Sequence, residues 1–442
     1  MKIGVLAPYL DTRADVRDLI RLLALENEVT IYLQASDADR TTPLLPPNQR
    51  TVILPRPVFG LRMILLLWQY AYLAFGKIPR SRYNYYMVER IRLSNKAMGG
   101  LRRFVEDLLI RLSKYAPQFI SYDSYLHGLS RLPSPVDLAE DIDVFFCNTQ
   151  IYDDRLYAHI LRQDKRVWTY VYSWDHPCKM KTFSQRTHYL VWNEGLKNDL
   201  IELQGIDAQR IKLWGATQFS AVQHYLTKVN KRASPYSFPY LYLGCATGYD
   251  ELVVQEVNYI AQIARAMAEI LPDYKLLVRP YPFQKQWDKY ASLRELSNVV
   301  FDDSFRKEAN GMTIKADMAQ DKLWKIQHAH AFLHFGTTMG YEACYFDVPS
   351  CLMAFVERNN AALLHGFIHQ YQNDKYLYDD SFLNVATCTE KLLQLLEAIR
   401  TESVNLLDYN RSIRRQSPLR SLPEMNDTLL DWFNSPLTMT QR

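Results

Sequence analysis

The feature that most constrains this chain is a succession of short, unbroken apolar segments separated by stretches of helical period. Lys2 to Pro8 (KIGVLAP) is apolar without alternation, Asp11 and Thr12 follow at a helix start, and Val16, Leu19, Ile20, Leu22 and Leu23 then recur at helical spacing. Glu28 to Leu33 (EVTIYL) and Thr51 to Leu54 (TVIL) read as the next strands. Strands apolar on both faces must be covered on both faces, which is the condition of a parallel sheet with helices on either side. The pattern predicts a doubly wound α/β domain. Further strands are predicted at Val144 to Cys147, Val167 to Tyr172, Tyr189 to Trp192 and Ile211 to Trp214, with a helix from Glu194 to Leu203 between the last two.

A second series of the same kind begins near Pro239. Strands are predicted at 239–243, 275–278, 299–301, 331–335 and 351–355, with helices over 251–271 and from Tyr341 onward. At 442 residues the chain exceeds what one hydrophobic core organises, so two domains are expected. We place the first at 1–222, with a helical, basic and aromatic insertion at about 58–130, a linker at 223–237 and the second domain at 238–442. The expected fold class is two doubly wound Rossmann-like α/β domains facing a central cleft, where such folds bind ligands outside the carboxyl ends of their strands. A composition of 48% apolar and 23% charged residues excludes global disorder. The first strand leads into PYLDTRAD, with no G-x-G-x-x-G, which disfavours a Rossmann dehydrogenase.

The six cysteines form no C-x-x-C pair, and no D-x-D or His-x-His spacing suggests a metal site, so neither a zinc ribbon nor a bound metal is expected. No organic cofactor is expected either. The opening MKIGVLAPYL lacks a secretory pattern, and the longest uncharged stretch, between Arg62 and Lys77, has 14 residues against the roughly 20 needed to cross a bilayer. These features predict a cytoplasmic protein that does not span a membrane.

The chemistry-bearing residues fall at predicted strand ends. In HFGTTMGYEACYFDVP, from His334 to Pro349, a strand leads through a small-residue loop into a helix. Gly336, Thr337 and Thr338 free backbone amides to meet phosphate oxygens, and Glu342, one turn later, could reach a ribose diol. Alternatively, a threonine only caps the helix and Glu342 completes a capping box. Arg279, in YKLLVRPYP, falls just past a strand, where its guanidinium would point to the cleft edge and pair with a diphosphate, or form a surface ion pair. Thr247 and Gly248, in GCATGYDE, offer a further amide nest. In the first domain, SWDHP sets Asp175 and His176 at a sheet edge, where either could deprotonate an acceptor hydroxyl or only cap and pack. Asp11 is the other base candidate, with helix capping as its alternative. Asp153 and Asp154 also follow a strand, as an acid pair of the kind usually solvated.

From Arg50 to Arg131 there are 14 Lys or Arg and 4 Asp or Glu, a local net charge of +10 against −6 for the rest of the chain. Basic residues interleaved with Leu, Trp and Tyr suit a helix pair on an anionic membrane surface or a lipid-linked acceptor, or a solvated insertion. No nucleic-acid-binding signature is present.

Taken as a set, SWDHP, VWNEGLKNDLIELQGIDAQRIKLWGATQF (Val191 to Phe219), RPYP and GTTMGYEACYFDVPS resemble GT-B glycosyltransferases of bacterial surface polysaccharide assembly and the related polyol-phosphate transferases. The resemblance covers residues 165–355 in spaced blocks and leaves about 55–140 unmatched. It implies that Gly336, Thr337, Thr338 and Glu342 hold a donor nucleotide, that Arg279 compensates its diphosphate, and that Asp175 and His176 face the acceptor. The chain departs from the pattern at Tyr281, where relatives often have His after the Arg-Pro pair. The implied activity is metal-independent transfer of a sugar from a nucleotide-sugar donor to a hydroxyl of a surface glycan or lipid-linked acceptor. A polyol-phosphate transferase, a sugar-nucleotide epimerase and a catalytically silent, membrane-peripheral partner of polysaccharide assembly are the alternatives.

Overall fold

The computed structural model describes residues 1–46, 49–77, 104–105, 108, 115, 117–138, 141–148, 154–174, 176–179, 183–228, 233–246, 250–281, 287–302, 316–355 and 377–435. The chain divides into two compact units, Met1–Gln218 with Arg420–Arg442, and Phe219–Leu419.

The first unit is built on a parallel sheet of β1 (Lys2–Leu6), β2 (Glu28–Gln34), β3 (Arg50–Leu54), β4 (Val144–Asn148), β5 (Arg166–Tyr170), β6 (His188–Val191) and β7 (Ile211–Leu213). Their order is β3-β2-β1-β4-β5-β6-β7, with Ile3 opposite both Val29 and Val144. Every residue of β4 and β6 is buried, which is why their sequences do not alternate. Its helices are α1 (Ala14–Glu26), α2 (Ala35–Thr41), α3 (Phe59–Phe75), α4 (Tyr122–Leu129), α5 (Asp154–Arg162), α6 (His176–Lys179) and α7 (Glu194–Gln204). α7 has a complete pair of stop signals: the Asn193 side chain accepts from the Leu196 amide at its start, and Gly205 takes a left-handed φ of 64° at its end.

The second unit repeats the plan with β8 (Tyr240–Gly244), β9 (Lys275–Arg279), β10 (Val299–Phe301), β11 (Ala331–His334), β12 (Ser350–Met353) and β13 (Val385–Ala386) in the order β10-β9-β8-β11-β12-β13. Around it lie α8 (Ser220–Thr227), α9 (Asp250–Ile270), α10 (Ala316–Gln327), α11 (Thr338–Cys344), α12 (Thr389–Arg400) and α13 (Leu406–Gln416). The predicted linker therefore starts late, since residues 223–227 are helical and Val222 and Tyr225 are buried in this unit.

The last helix, α14 (Leu422–Asn434), belongs to the first unit, whereas the sequence pattern placed 238–442 together. The cause is packing. Met425, Leu429 and Phe433 are buried, Trp214 Nε1 donates to the Met425 carbonyl at 2.9 Å, Trp168 stacks on Trp432 at 5.8 Å, and Arg166 donates to the Trp432 carbonyl. Among the described residues no helix is long and apolar enough to cross a membrane.

Both sheets reverse direction of strand addition once, between β1 and β4 and between β8 and β11. Ligands of open α/β sheets bind at the carboxyl ends of the strands beside such a reversal. Those two places are the ones to inspect.

Candidate active site

In the second unit, β11 ends at His334 and the chain turns through Phe335 and Gly336 into α11. Gly336 adopts a φ of 79°, a conformation that a side chain would strain. Thr337 is the N-cap of α11, and its hydroxyl accepts from the Met339 amide at 3.4 Å. The capping alternative therefore describes Thr337 correctly, but not Glu342. The position a capping box requires is held by Gly340, and the Glu342 carboxylate instead receives Lys322 Nζ from α10 at 2.7 Å. The end of β8 closes on this corner: a Cβ built on Gly244 would touch Thr337 Cγ2 and Met339 Sδ at 3.5 Å.

The corner rests on His334, whose side chain is fully buried. Its Nδ1 accepts from the Gly336 amide at 3.2 Å, which assigns the ring proton to Nε2, and Nε2 has no hydrogen-bond partner. Burial lowers its pKa to about 3, so the ring is neutral at physiological pH. The imidazole lies directly beneath Gly340, where an added Cβ would sit 2.6 Å from Cε1 and Nε2.

Arg279 is arranged differently from the sequence expectation of a guanidinium at the cleft edge. It is 6% exposed and donates to Asp302 at 2.7 Å and to the Tyr242 hydroxyl at 3.3 Å. Asp302 also receives Lys325 Nζ at 2.7 Å, and Lys325 reaches Asp321 at the same distance. Burial opposes the charge on Arg279, but Tyr242 and Asp302 outweigh it and its pKa is raised. The physical reason for the inward turn is that a buried cation is tolerated only beside a carboxylate, and Asp302 supplies one for two cations at once. Thr247 and Gly248 lie outside the described residues. Just before them, Glu256 of α9, fully buried, accepts from the Ala246 amide at 2.7 Å and so fixes the exit of β8. Lys322 and Glu256 were not picked out from sequence. For Glu256 a signal existed, an acid three residues from Val253 and one from Val257 on an apolar helix face.

In the first unit, the loop from β1 to α1 carries Tyr9 in the left-handed region, at φ 59°. For a bulky residue this is a strained conformation, of a kind that concentrates at functional sites. The Tyr9 carbonyl accepts from the amides of Thr12 and Arg13, both at 3.0 Å, and Arg17 binds the carbonyls of Leu10 and Asp11. The Arg13 guanidinium stacks over the Tyr172 ring at 3.8 Å, with Tyr9 at 5.4 Å.

Asp11 is 2% exposed, with Arg40 at 3.4 Å from one carboxylate oxygen and no hydrogen-bond partner on the other. Four residues later, Asp15 is only part-buried. Its carboxylate accepts from the Thr217 hydroxyl at 2.6 Å and from the Tyr172 hydroxyl at 3.4 Å. Burial raises its pKa, against the lowering effect of the Thr217 hydrogen bond and of Arg13. The structure thus joins the ends of β1, β5 and β7 at Asp15, a residue that sequence reasoning passed over. Nothing in a lone Asp in a helix's first turn distinguishes a cap from an acid and base. His176, the first residue of α6, is 1% exposed, with its amide bonded to the Ser173 carbonyl at 3.0 Å. Asp175, and Asp153 of the acid pair, lie outside the described residues, while Asp154 accepts from the hydroxyls of Tyr122 and Tyr125. Among the described residues no group of three or more His, Cys, Asp or Glu could hold a metal ion.

No protein-family model and no curated protein matches this sequence. Solved structures are similar to it along nearly the whole chain. A UDP-N-acetylglucosamine 2-epimerase candidate from Listeria monocytogenes is 9% identical, with 97% of this chain and 94% of that one covered at a TM-score of 0.50. The calicheamicin glycosyltransferase is 11% identical over 98% of this chain and 99% of its own, at a TM-score of 0.48. A glycosyltransferase from Rickettsia africae is 10% identical over 98% and 99%, at 0.46. At such identity the likeness to the Listeria protein is one of architecture, and it agrees with the two doubly wound α/β domains that the sheet orders show.

Proposed function

We propose that this chain is a glycosyltransferase that moves a sugar from a nucleotide-sugar donor to a hydroxyl of a surface glycan or lipid-linked acceptor. The observation that carries the reading is the corner after β11: the backbone turn through Gly336 that presents Thr337 and Thr338 beside a strand-order reversal, with the Glu342 carboxylate held by Lys322 one turn behind. Such a corner suits a nucleoside diphosphate, its phosphates at the amides and its ribose at the carboxylate. An epimerase fold needs the same donor but no acceptor. Transfer is favoured by the resemblance across residues 165–355 and by a carboxylate in the first unit suited to proton transfer.

In a transfer that inverts the anomeric carbon, the acceptor oxygen forms the new bond to that carbon. The bond to the diphosphate oxygen breaks, and the nucleoside diphosphate leaves with the electron pair. Negative charge grows on the leaving group, where the amides after β11 offset it. The acceptor proton needs a base, and Asp15, whose pKa burial raises, is the carboxylate we assign to that role. This reading calls for no metal and no cofactor.

Calorimetric titration with nucleoside diphosphates and nucleotide sugars tests the donor half. E342A is expected to weaken binding at least tenfold, and unchanged affinity would remove Glu342 from the site. Mass analysis of products tests the other half, because sugar transfer and polyol-phosphate transfer add different masses to an acceptor. D15N is expected to bind donor as wild type does and to lose transfer. Full turnover by D15N would assign the base elsewhere.

A further inference from the structure

Helix α3 presents one face inward and, among the described residues, leaves the other exposed. Inward, Tyr72 is 3% exposed and stacks on Tyr125 at 4.7 Å, and Leu65 packs against the core cluster of the first unit. Outward, Phe59 is 79% exposed, Leu67 64%, Ile64 50% and Met63 40%. At about 100° per residue these four side chains fall within roughly half the circumference of the helix. Large apolar side chains gathered in this way on one face are unlike the scattered singles of an ordinary surface.

The charge along this stretch of chain is of one sign. Phe59–Phe75 contains no Asp or Glu, its only charged residue is Arg62, and Arg56 precedes it. Residues 50–77 hold Arg50, Arg56, Arg62 and Lys77 and no Asp or Glu. An apolar stripe on a stretch of chain that carries basic residues and no acids is complementary to an anionic bilayer, whose acyl boundary accepts Phe, Leu, Ile and Met while its headgroups attract Arg and Lys. We propose that the outer face of α3 is a docking surface for an anionic lipid bilayer, with Phe59, Met63, Ile64 and Leu67 entering the headgroup boundary and the helix lying in its plane. The proposal is independent of the transfer reading, because it needs neither donor nor acceptor.

The test is co-sedimentation of the full chain with phosphatidylcholine vesicles, with and without phosphatidylglycerol, at low and high salt, without nucleotide. Wild type is expected to pellet with the anionic vesicles, less so at high salt, and much less with pure phosphatidylcholine. F59E/L67E is expected to lose at least tenfold in partitioning. These positions are exposed, so its melting temperature should match wild type, and K228E, a charge change in the second unit, should partition as wild type does. Retention of the double variant on anionic vesicles would overturn the proposal, as would failure of wild type to bind them. Sedimentation velocity provides the other arm. A wild-type dimer converted to monomer by F59E/L67E, with no vesicle binding, would reassign the face to a second copy of this chain.

Discussion

The contact between His334 and Gly340 is the sharpest test of how the corner after β11 is built. Replacing Gly340 by Ala puts a Cβ 2.6 Å from two atoms of the imidazole and 2.9 Å from the third, well inside the ordinary contact distance. The ring has little room to yield. It is fully buried, tied to the Gly336 amide, and stacked with Phe332 at 6.0 Å and 23°. Overpacking of this kind costs about 1–3 kcal/mol, while Ala in place of Gly inside a helix gains up to about 1 kcal/mol, so the net effect of G340A is destabilising. In an H334A background the obstruction is gone and only the helical gain remains. G340A should then stabilise, and the coupling in the double-mutant cycle should equal the overpacking cost, about 1–3 kcal/mol. For a unit of about 200 residues each kcal/mol moves the transition by roughly 2–4 °C, which calorimetry resolves. Equal effects of G340A in the two backgrounds would refute this account.

Two further perturbations follow from buried charge. His334 has a pKa of about 3 in the folded chain against 6.5 for the free side chain, so the unfolded state takes up a proton first as pH falls. Stability is therefore full above about pH 6.5 and is lost progressively toward pH 3; by pH 5 the loss is about 2 kcal/mol, and H334N should remove it from urea-unfolding curves measured across that range. His188, lowered to about 4 chiefly by burial, adds a similar slope in the first unit that H334N should leave in place. D302N leaves Arg279 and Lys325 buried beside a neutral amide and should cost about 3–5 kcal/mol in the second unit; a cost below about 1 kcal/mol would mean that the ions find water or another partner.

Strand positions were legible because burial on both faces writes itself into composition: the apolar runs at 2–8, 144–147 and 331–335 each contain a strand within a residue or two of its expected ends. The start of α11 was read three residues late, at Tyr341 instead of Thr338, because Thr-Thr-Met-Gly has weak helical character and its helical state is set by the cap at Thr337. β13 was not foreseen, since two residues carry no period, and neither was the return of α14 to the first unit. Chain order cannot say which of two cores will bury Met425, Leu429 and Phe433.

Side-chain direction was the least legible quantity. Arg279 and Glu342 both fall beside strand ends in sequence, and both were read as facing a ligand. One turns into a closed network with Asp302, and the other meets Lys322, which is 18% exposed at its side chain. The difference lies in which opposite charges are near, and those come from α10 and the end of β10, remote in sequence from either residue. The same holds for Asp11 and Asp15. Four residues apart, on the loop before α1 and in its first turn, they meet Arg40 in one case and two hydroxyls, Thr217 and Tyr172, in the other. At Asp15 burial raises the pKa against the opposing Thr217 hydrogen bond and Arg13, a setting suited to proton exchange. Those partners, invisible along the chain, are what add Asp15 to the base candidates Asp175, His176 and Asp11.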